Sequence, residues 1–336
     1  MSLRKIGLVT LTVILGFVSC NKDDDNGTIP EVVIRDRTEQ QMADNDSIVK
    51  YLTTHYYNAG DFDGNVNPKI IDLKIEEIPT DGVLPNSTDR LLYSDDGDDS
   101  NDAVIIKEVT FAETIYKIYI LKLNQGGGSG SPNFTDQIRF IYEGSTLDNK
   151  TFDSAVTPVD FFLIGNGSNT SNVNFLIPGW RKVVTDFNVA ESIVLSKDGT
   201  VDYINPGVGV MFLPSGLAYF NDSPSSDILA YSPLIFKFEI YQTFESDFDN
   251  DGVPSHLEDI DEDDEFSIDP DNPEKEGDDD TDNDGIPDYV DDDDDGDGVL
   301  TINEDWDGDG DPTNDMSPVN PTLPRYLDPE VAESKD

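Results

Sequence analysis

The chain has 336 residues, 71 acidic against 21 basic side chains, a formal net charge of −50 and a hydrophobic fraction of 36%. That length fits two or three domains, and the apolar fraction suffices for one ordinary core. The charge excludes nucleic acid as a partner and favours divalent cations. It is unevenly placed: from residue 245 onward there are 37 acids and only Lys275, Arg325 and Lys335 as bases.

The N-terminus has a basic start (Arg4, Lys5) and an apolar run, too short for a membrane span, that ends at Phe-Val-Ser-Cys. This ending resembles a bacterial lipobox, with Phe17 where leucine is commoner. The resemblance implies a signal peptide over 1–19, a lipid on Cys20, a tether over 20–32, and membrane attachment through that lipid. The expected location is the bacterial outer membrane, facing the periplasm or the surface. The acidic Asn-Lys-Asp-Asp-Asp after Cys20 resembles the export signal of surface-displayed lipoproteins. Cys20 is the only cysteine, so the processed chain has no disulfide.

Residues 33–102 form an N-terminal extension. Its first part, 33–58, predicts a helix with Asp46 or Ser47 as an internal cap and Ile48, Val49, Leu52 and Tyr56 as an apolar stripe. His55 lacks a second ligand-type neighbour and reads as structural. Acidic loops at 60–68 and 93–102 flank a strand expected over 70–78. Strands follow at 103–111, 114–123, 136–144, 159–164, 192–195, 208–213 and 234–242. The Gly-rich stretch 124–134 reads as a flexible turn, because no helix opening with Lys-Ser/Thr follows it. Trp180, Val183, Val184 and Phe187 are spaced as one face of a short helix, with Pro178 at its start. Residues 196–210 read as an added hairpin around Asp198-Gly199. The pattern predicts an α+β domain over 103–244, a curved antiparallel sheet wrapped around one short helix.

Four segments in order, 140–155 (FIYEGSTLDNKTFDSA), 176–184 (LIPGWRKVV), 212–220 (FLPSGLAYF) and 232–240 (SPLIFKFEI), resemble the motifs of the FKBP-type peptidyl-prolyl isomerases across about residues 106–243. The resemblance implies an apolar proline pocket made by Tyr142, Phe152, Asp153, Leu176, Ile177, Trp180, Tyr219 and Phe236. It also implies that the Ile177 N–H and the Tyr219 hydroxyl bind ligand carbonyls, and that proline-containing polypeptides are the partners. Such catalysis needs no cofactor and no nucleophile. Departures from the family are Val159 where a second phenylalanine is usual, and Phe220 where glycine is usual. Taken without the motif order, Trp180, Phe152 and Phe236 read as core. A binding module of the same fold without turnover, on a calcium-stiffened surface stalk, is the alternative.

From 245 to 315 the acids fall in register. Positions 1, 3, 5 and 12 around a glycine at 6 are occupied by Asp247, Asp249, Asp251 and Glu258. Asp280, Asp282, Asp284, Asp288 and Asp291 repeat the pattern, as do Asp293, Asp295, Asp297 and Glu304. Asp305, Asp307 and Asp309 begin a partial fourth copy. Alternate carboxylates, a glycine turn and a closing carboxylate are the chemistry of a Ca2+ loop. The run resembles thrombospondin type 3 repeats, which implies structural Ca2+; a solvated acidic tail is the other reading. Residues 259–279 show no such register and read as a linker, and 316–336 as a tail.

Overall fold

Asp36 starts the first helix. Its carboxylate accepts the Glu39 N–H at 2.9 Å, which satisfies one of the orphan donors of a helix start. Helix α1 then runs unbroken over Arg37–Thr54. Asp46 and Ser47 therefore lie inside the helix rather than at a cap, and the Ser47 hydroxyl donates to the Ala43 carbonyl instead. The chain straightens into β1 (His55–Tyr57), the centre of a small antiparallel sheet with β2 (Ile75–Glu77) and β3 (Arg90–Leu91). Of the strand expected over 70–78 only this short part forms, because Ile70–Asp72 make a 3-10 turn. His55 is buried, stacks on Tyr51 with ring centroids 3.8 Å apart, and sets Nδ1 2.8 Å from the Tyr51 carbonyl.

This computed structural model describes residues 34–94, 102–165, 175–266 and 279–335. The expected signal peptide, Cys20 and tether lie outside the described residues. The chain divides into Met1–Ile34 and a compact unit, Arg35–Asp336. Within the latter follow β4 (Val104–Phe111), β5 (Thr114–Asn124), β6 (Gln137–Thr146), β7 (Thr151–Phe162), α2 (Pro178–Val184), β8 (Ser192–Leu195), β9 (Val201–Ile204), β10 (Gly207–Leu213) and β11 (Leu234–Phe244). Six strands form one antiparallel sheet in the order β4-β5-β10-β11-β6-β7. The strand expected over 159–164 is the end of the longer β7, and α2 has seven residues where about ten were expected. The class is α+β, a mostly antiparallel sheet with two α-helices among the described residues.

Both faces of the sheet are covered, which explains why β10 reads as an unbroken apolar run. Met211 and Leu213 join the core on the α2 side, with Tyr116, Ile118, Ile120, Phe140, Trp180, Val183, Phe187 and Phe238. Val210 and Phe212 join a second core with Tyr119, Leu121 and the α1 residues Ile48, Tyr51 and Leu52. Burying each such side chain contributes roughly 1.5–3 kcal/mol. The N-terminal helix is thus the second cover of the sheet.

The added hairpin is β8–β9, its turn carried by Gly199 at φ +89° and by Asp198, which accepts the Thr200 N–H. The Gly-rich segment is held in place. Gly127 N–H donates to Asn205 O, Gly128 N–H to Val189 O, and the Asn188 amide to Gly128 O.

Candidate functional site

Trp180 sits in the first turn of α2, its N–H donating to the Ile177 carbonyl at 3.0 Å. The indole is 1% exposed. Around it stand Phe140 at 4.9 Å between centroids, Phe236 at 5.2 Å, Phe238 at 5.8 Å and Tyr142 at 6.0 Å, the last edge-on at 82°. Phe152 meets Phe236 edge-on at 5.7 Å. Tyr142, Phe152, Leu176, Ile177 and Tyr219 are half-buried and close over the same core. The eight residues that the motifs point to, scattered over 142–236, are therefore neighbours. Phe140 and Phe238 belong with them and were missed, although each lies two residues from a named site residue on the same strand face.

Gly144 makes the arrangement possible. A Cβ there would lie 2.7 Å from Phe152 Cζ and 2.8 Å from Phe236 Cε1, so the two rings occupy the space of a side chain. The Tyr142 hydroxyl donates to Asp153 Oδ2 at 2.6 Å, and the other Asp153 oxygen accepts the Ser154 N–H at 2.8 Å. Burial, with the Asp153 carboxylate beside it, holds the Tyr142 phenol well above its ordinary range. The Tyr219 phenol is raised chiefly by burial and then by Asp153, which places the carboxylate near both rings. Among the described residues the Ile177 N–H and the Tyr219 hydroxyl have no hydrogen-bond partner. The site thus presents a mostly apolar cup with two donors that no described residue engages.

The loop carrying Tyr219 is fixed from behind by α1. Asp44, buried on that helix, accepts the Ser215 N–H at 2.7 Å and the Ser215 hydroxyl at 2.6 Å on one oxygen, and Gln40 Nε2 at 2.6 Å on the other. Arg37 donates to the Tyr116 hydroxyl and the Gly216 carbonyl, and its guanidinium lies 4.2 Å over the Phe220 ring. Phe220 is at φ +48°, the left-handed region that explains why glycine is usual there. Its buried ring, edge-on to Tyr231 at 5.2 Å, offsets the backbone strain. Val159 packs on the core beside Phe140. No local sequence pattern announces Arg37 or Asp44, whose partners lie far along the chain.

The C-terminal acids form repeated turns of one geometry. The carboxylate at position 1 accepts the N–H at 6: Asp247 from Gly252, Asp280 from Gly285, Asp293 from Gly298, Asp305 from Gly310. Position 3 accepts from 5, through Asp249, Asp282, Asp295 and Asp307. Position 5 accepts from 7, through Asp251, Asp284, Asp297 and Asp309. At positions 3 and 5 each carboxylate thus gives one oxygen to the backbone and keeps the other from it, whereas at position 1 Asp247, Asp280 and Asp305 give both, the second to Asn250, to Asp284, and to Gly308 and Asp309. Asp249 Oδ2, Asp251 Oδ2, Asp293 Oδ1, Asp295 Oδ2, Asp297 Oδ2 and both oxygens of Glu304 are buried without a partner. Ligand oxygens of Asp247, Asp249 and Asp251, of Asp280, Asp282 and Asp284, and of Asp293, Asp295 and Asp297 lie within 4.8 Å of one another in each group. Burial, followed by the neighbouring acids, pushes Asp295 up to about 7 and Glu304 up to about 8. Such a donor set fits a hard cation: oxygen only, convergent and otherwise unsatisfied.

Asp288 turns both oxygens to Thr281, in the place where Ser255 and Thr301 hold the equivalent position-2 N–H. Asp291 accepts the Asp293 N–H, at the junction of two loops. The supposed linker, by contrast, contains a fifth turn. Asp259 accepts from Asp264, Asp261 from Asp263 and Asp263 from Glu265. Glu265 pairs with Arg181 and, at 2.9 Å, with Lys182, so this turn seats on the helix that carries Trp180.

A family model described as BamM C-terminal matches residues 248–325. No curated protein matches the chain. Among solved structures, the chain is similar to a peptidyl-prolyl cis-trans isomerase from Pseudomonas syringae pv. tomato, at 20% identity and a TM-score of 0.30, covering 44% of this chain and 85% of that one. It is also similar to FkpA from Escherichia coli, at 20% identity and a TM-score of 0.30, covering 43% of this chain and 53% of the other. The chain therefore spans about half the length of FkpA. Among the described residues no helix is long and apolar enough to cross a membrane.

Proposed function

We propose that the chain is an FKBP-type peptidyl-prolyl cis-trans isomerase, held at the bacterial outer membrane by a lipid on Cys20, that assists the folding of exported or surface proteins. The observation that carries this reading is the convergence of Tyr142, Phe152, Asp153, Ile177, Tyr219 and Phe236 around Trp180. Rotation about an X-Pro amide meets a barrier of ~18–20 kcal/mol because resonance is lost. The twisted amide is less polar than the planar one, so a dry aromatic cup favours it without a nucleophile. The Ile177 N–H and Tyr219 hydroxyl are placed to hold the carbonyls on either side, and Asp153 keeps the Tyr142 ring in position. Each ~1.36 kcal/mol removed from the barrier gives a tenfold rate. Catalysis uses no cofactor; Ca2+ is proposed as a structural ion of the C-terminal turns.

One observation favours the second reading, a proline-binding module without turnover: the loop after Tyr219 departs from the family pattern, with Phe220 at φ +48° under the Arg37 guanidinium. The two are separated with a denatured protein whose slow refolding phase is an X-Pro isomerisation. Catalytic amounts of the processed full chain shorten that phase, and Tyr219→Phe and Asp153→Ala, both on the solvent side of the cup, lose about tenfold of the effect. An unchanged slow phase, with proline peptides still bound, establishes the binding module instead.

A further inference from the structure

Asp294 stands at the second position of the third turn, where the loop register assigns no ligand. Asp251 and Glu258 belong to the first turn. Ligand oxygens of the three nevertheless lie within 4.8 Å of one another. The residues are 2% exposed or less, and Asp251 Oδ2, both Glu258 oxygens and both Asp294 oxygens have no hydrogen-bond partner among the described residues. The remaining Asp251 oxygen accepts the Val253 N–H at 2.8 Å. The other charges that act most on Glu258 and Asp294 are also acidic, from Asp249, Asp288 and Asp291. Burying carboxylates together with neither donors nor a base is strongly unfavourable. Among the described residues no protein group supplies the missing contacts. A calcium-sized ion does: oxygens on opposite sides of one, at about 2.3–2.6 Å from it, are at most about 5 Å apart.

We infer that Asp251, Glu258 and Asp294 bind one divalent cation of the Ca2+ class, which staples the first turn to the third. The inference takes the identity of the ion from the calcium reading of the turns above. The staple closes the chain between residues 258 and 294, so Asp294 acts as a cross-link between repeats rather than as part of its own loop.

The test is titration of the processed full chain with CaCl2 by calorimetry, with Asp294→Asn, Glu258→Gln and the exposed β9 variant Asp202→Asn alongside. Asp294→Asn and Glu258→Gln are expected to lose the same one ion, or to weaken it at least tenfold, while Asp202→Asn keeps every ion. Thermal unfolding supplies a readout that a merely structural residue does not move. In EDTA, Asp294→Asn is more stable than the parent because a buried repulsion is gone; in CaCl2 the order reverses. Unchanged stoichiometry and affinity in Asp294→Asn, or a melting shift of the same sign in both buffers, overturns the staple and leaves the turns as Ca2+ sites. A parent chain that takes up no Ca2+ overturns the calcium reading and the staple together.

Discussion

Asp264 shows how one backbone angle hides a motif. In the four turns that the register reveals, position 6 is glycine at φ between +91° and +99°. In the fifth it is Asp264 at φ +60°, a conformation that aspartate tolerates better than most residues. A search for glycine finds four turns and passes over the fifth. Asp264→Gly is expected to stabilise this segment by about 1 kcal/mol through relief of left-handed strain, read as a raised melting midpoint in CaCl2; a lowered midpoint contradicts that account. The site aromatics were legible because their motif order is local to each strand and helix. Phe140, Phe238 and Gly144 follow from the same strands once the alternation of faces is respected.

At the scale of elements, α1 is the piece whose role was least readable. Its apolar stripe signals burial, but nothing in residues 33–58 says that the buried face lies on the back of the six-stranded sheet. That follows from Ile48, Tyr51 and Leu52 packing on Val210 and Phe212, and from Asp44 and Arg37 reaching the 213–220 loop. Asp44→Ala leaves the buried Ser215 N–H and hydroxyl without acceptors, a cost of about 1–3 kcal/mol, and loosens the loop that presents Tyr219. The expected result is a lower denaturation midpoint together with weaker proline-peptide binding. Asp44 also gives a pH signature. Burial raises its carboxyl above the ordinary range, and the hydrogen bonds from Ser215 and Gln40 only partly oppose this. The folded state therefore binds the proton more tightly than the unfolded chain, so this contribution is full below the unfolded value and is lost as pH rises through the folded one. Asp44→Asn, which cannot ionise, is expected to flatten that part of the stability-against-pH curve; an unaltered slope rules the titration out.

Over the whole molecule, the acidic region and the aromatic cup share a boundary. Lys182 Nζ donates to the Asp263 and Asp264 carbonyls at 3.2 Å, and Phe266 stacks on Tyr289 at 3.9 Å beside Phe134. The concentration of acids after residue 245 was readable from composition, but this contact was not, because Asp263, Asp264 and Phe266 lie in the stretch that reads as linker. Chelation of Ca2+ is expected to release the Asp259–Glu265 turn and raise hydrogen exchange at the α2 amides; unchanged α2 protection shows the two regions to be independent. The central claim is that the cup around Trp180 twists X-Pro bonds, and it is tested most directly by two-dimensional NMR exchange spectroscopy on a short X-Pro peptide with catalytic amounts of the processed full chain in CaCl2. The account predicts cis/trans cross-peaks on a timescale where the free peptide, which takes tens to hundreds of seconds to interconvert, shows none, and their loss with Tyr219→Phe. A folded chain that leaves the peptide's exchange unchanged across several residues before proline contradicts it.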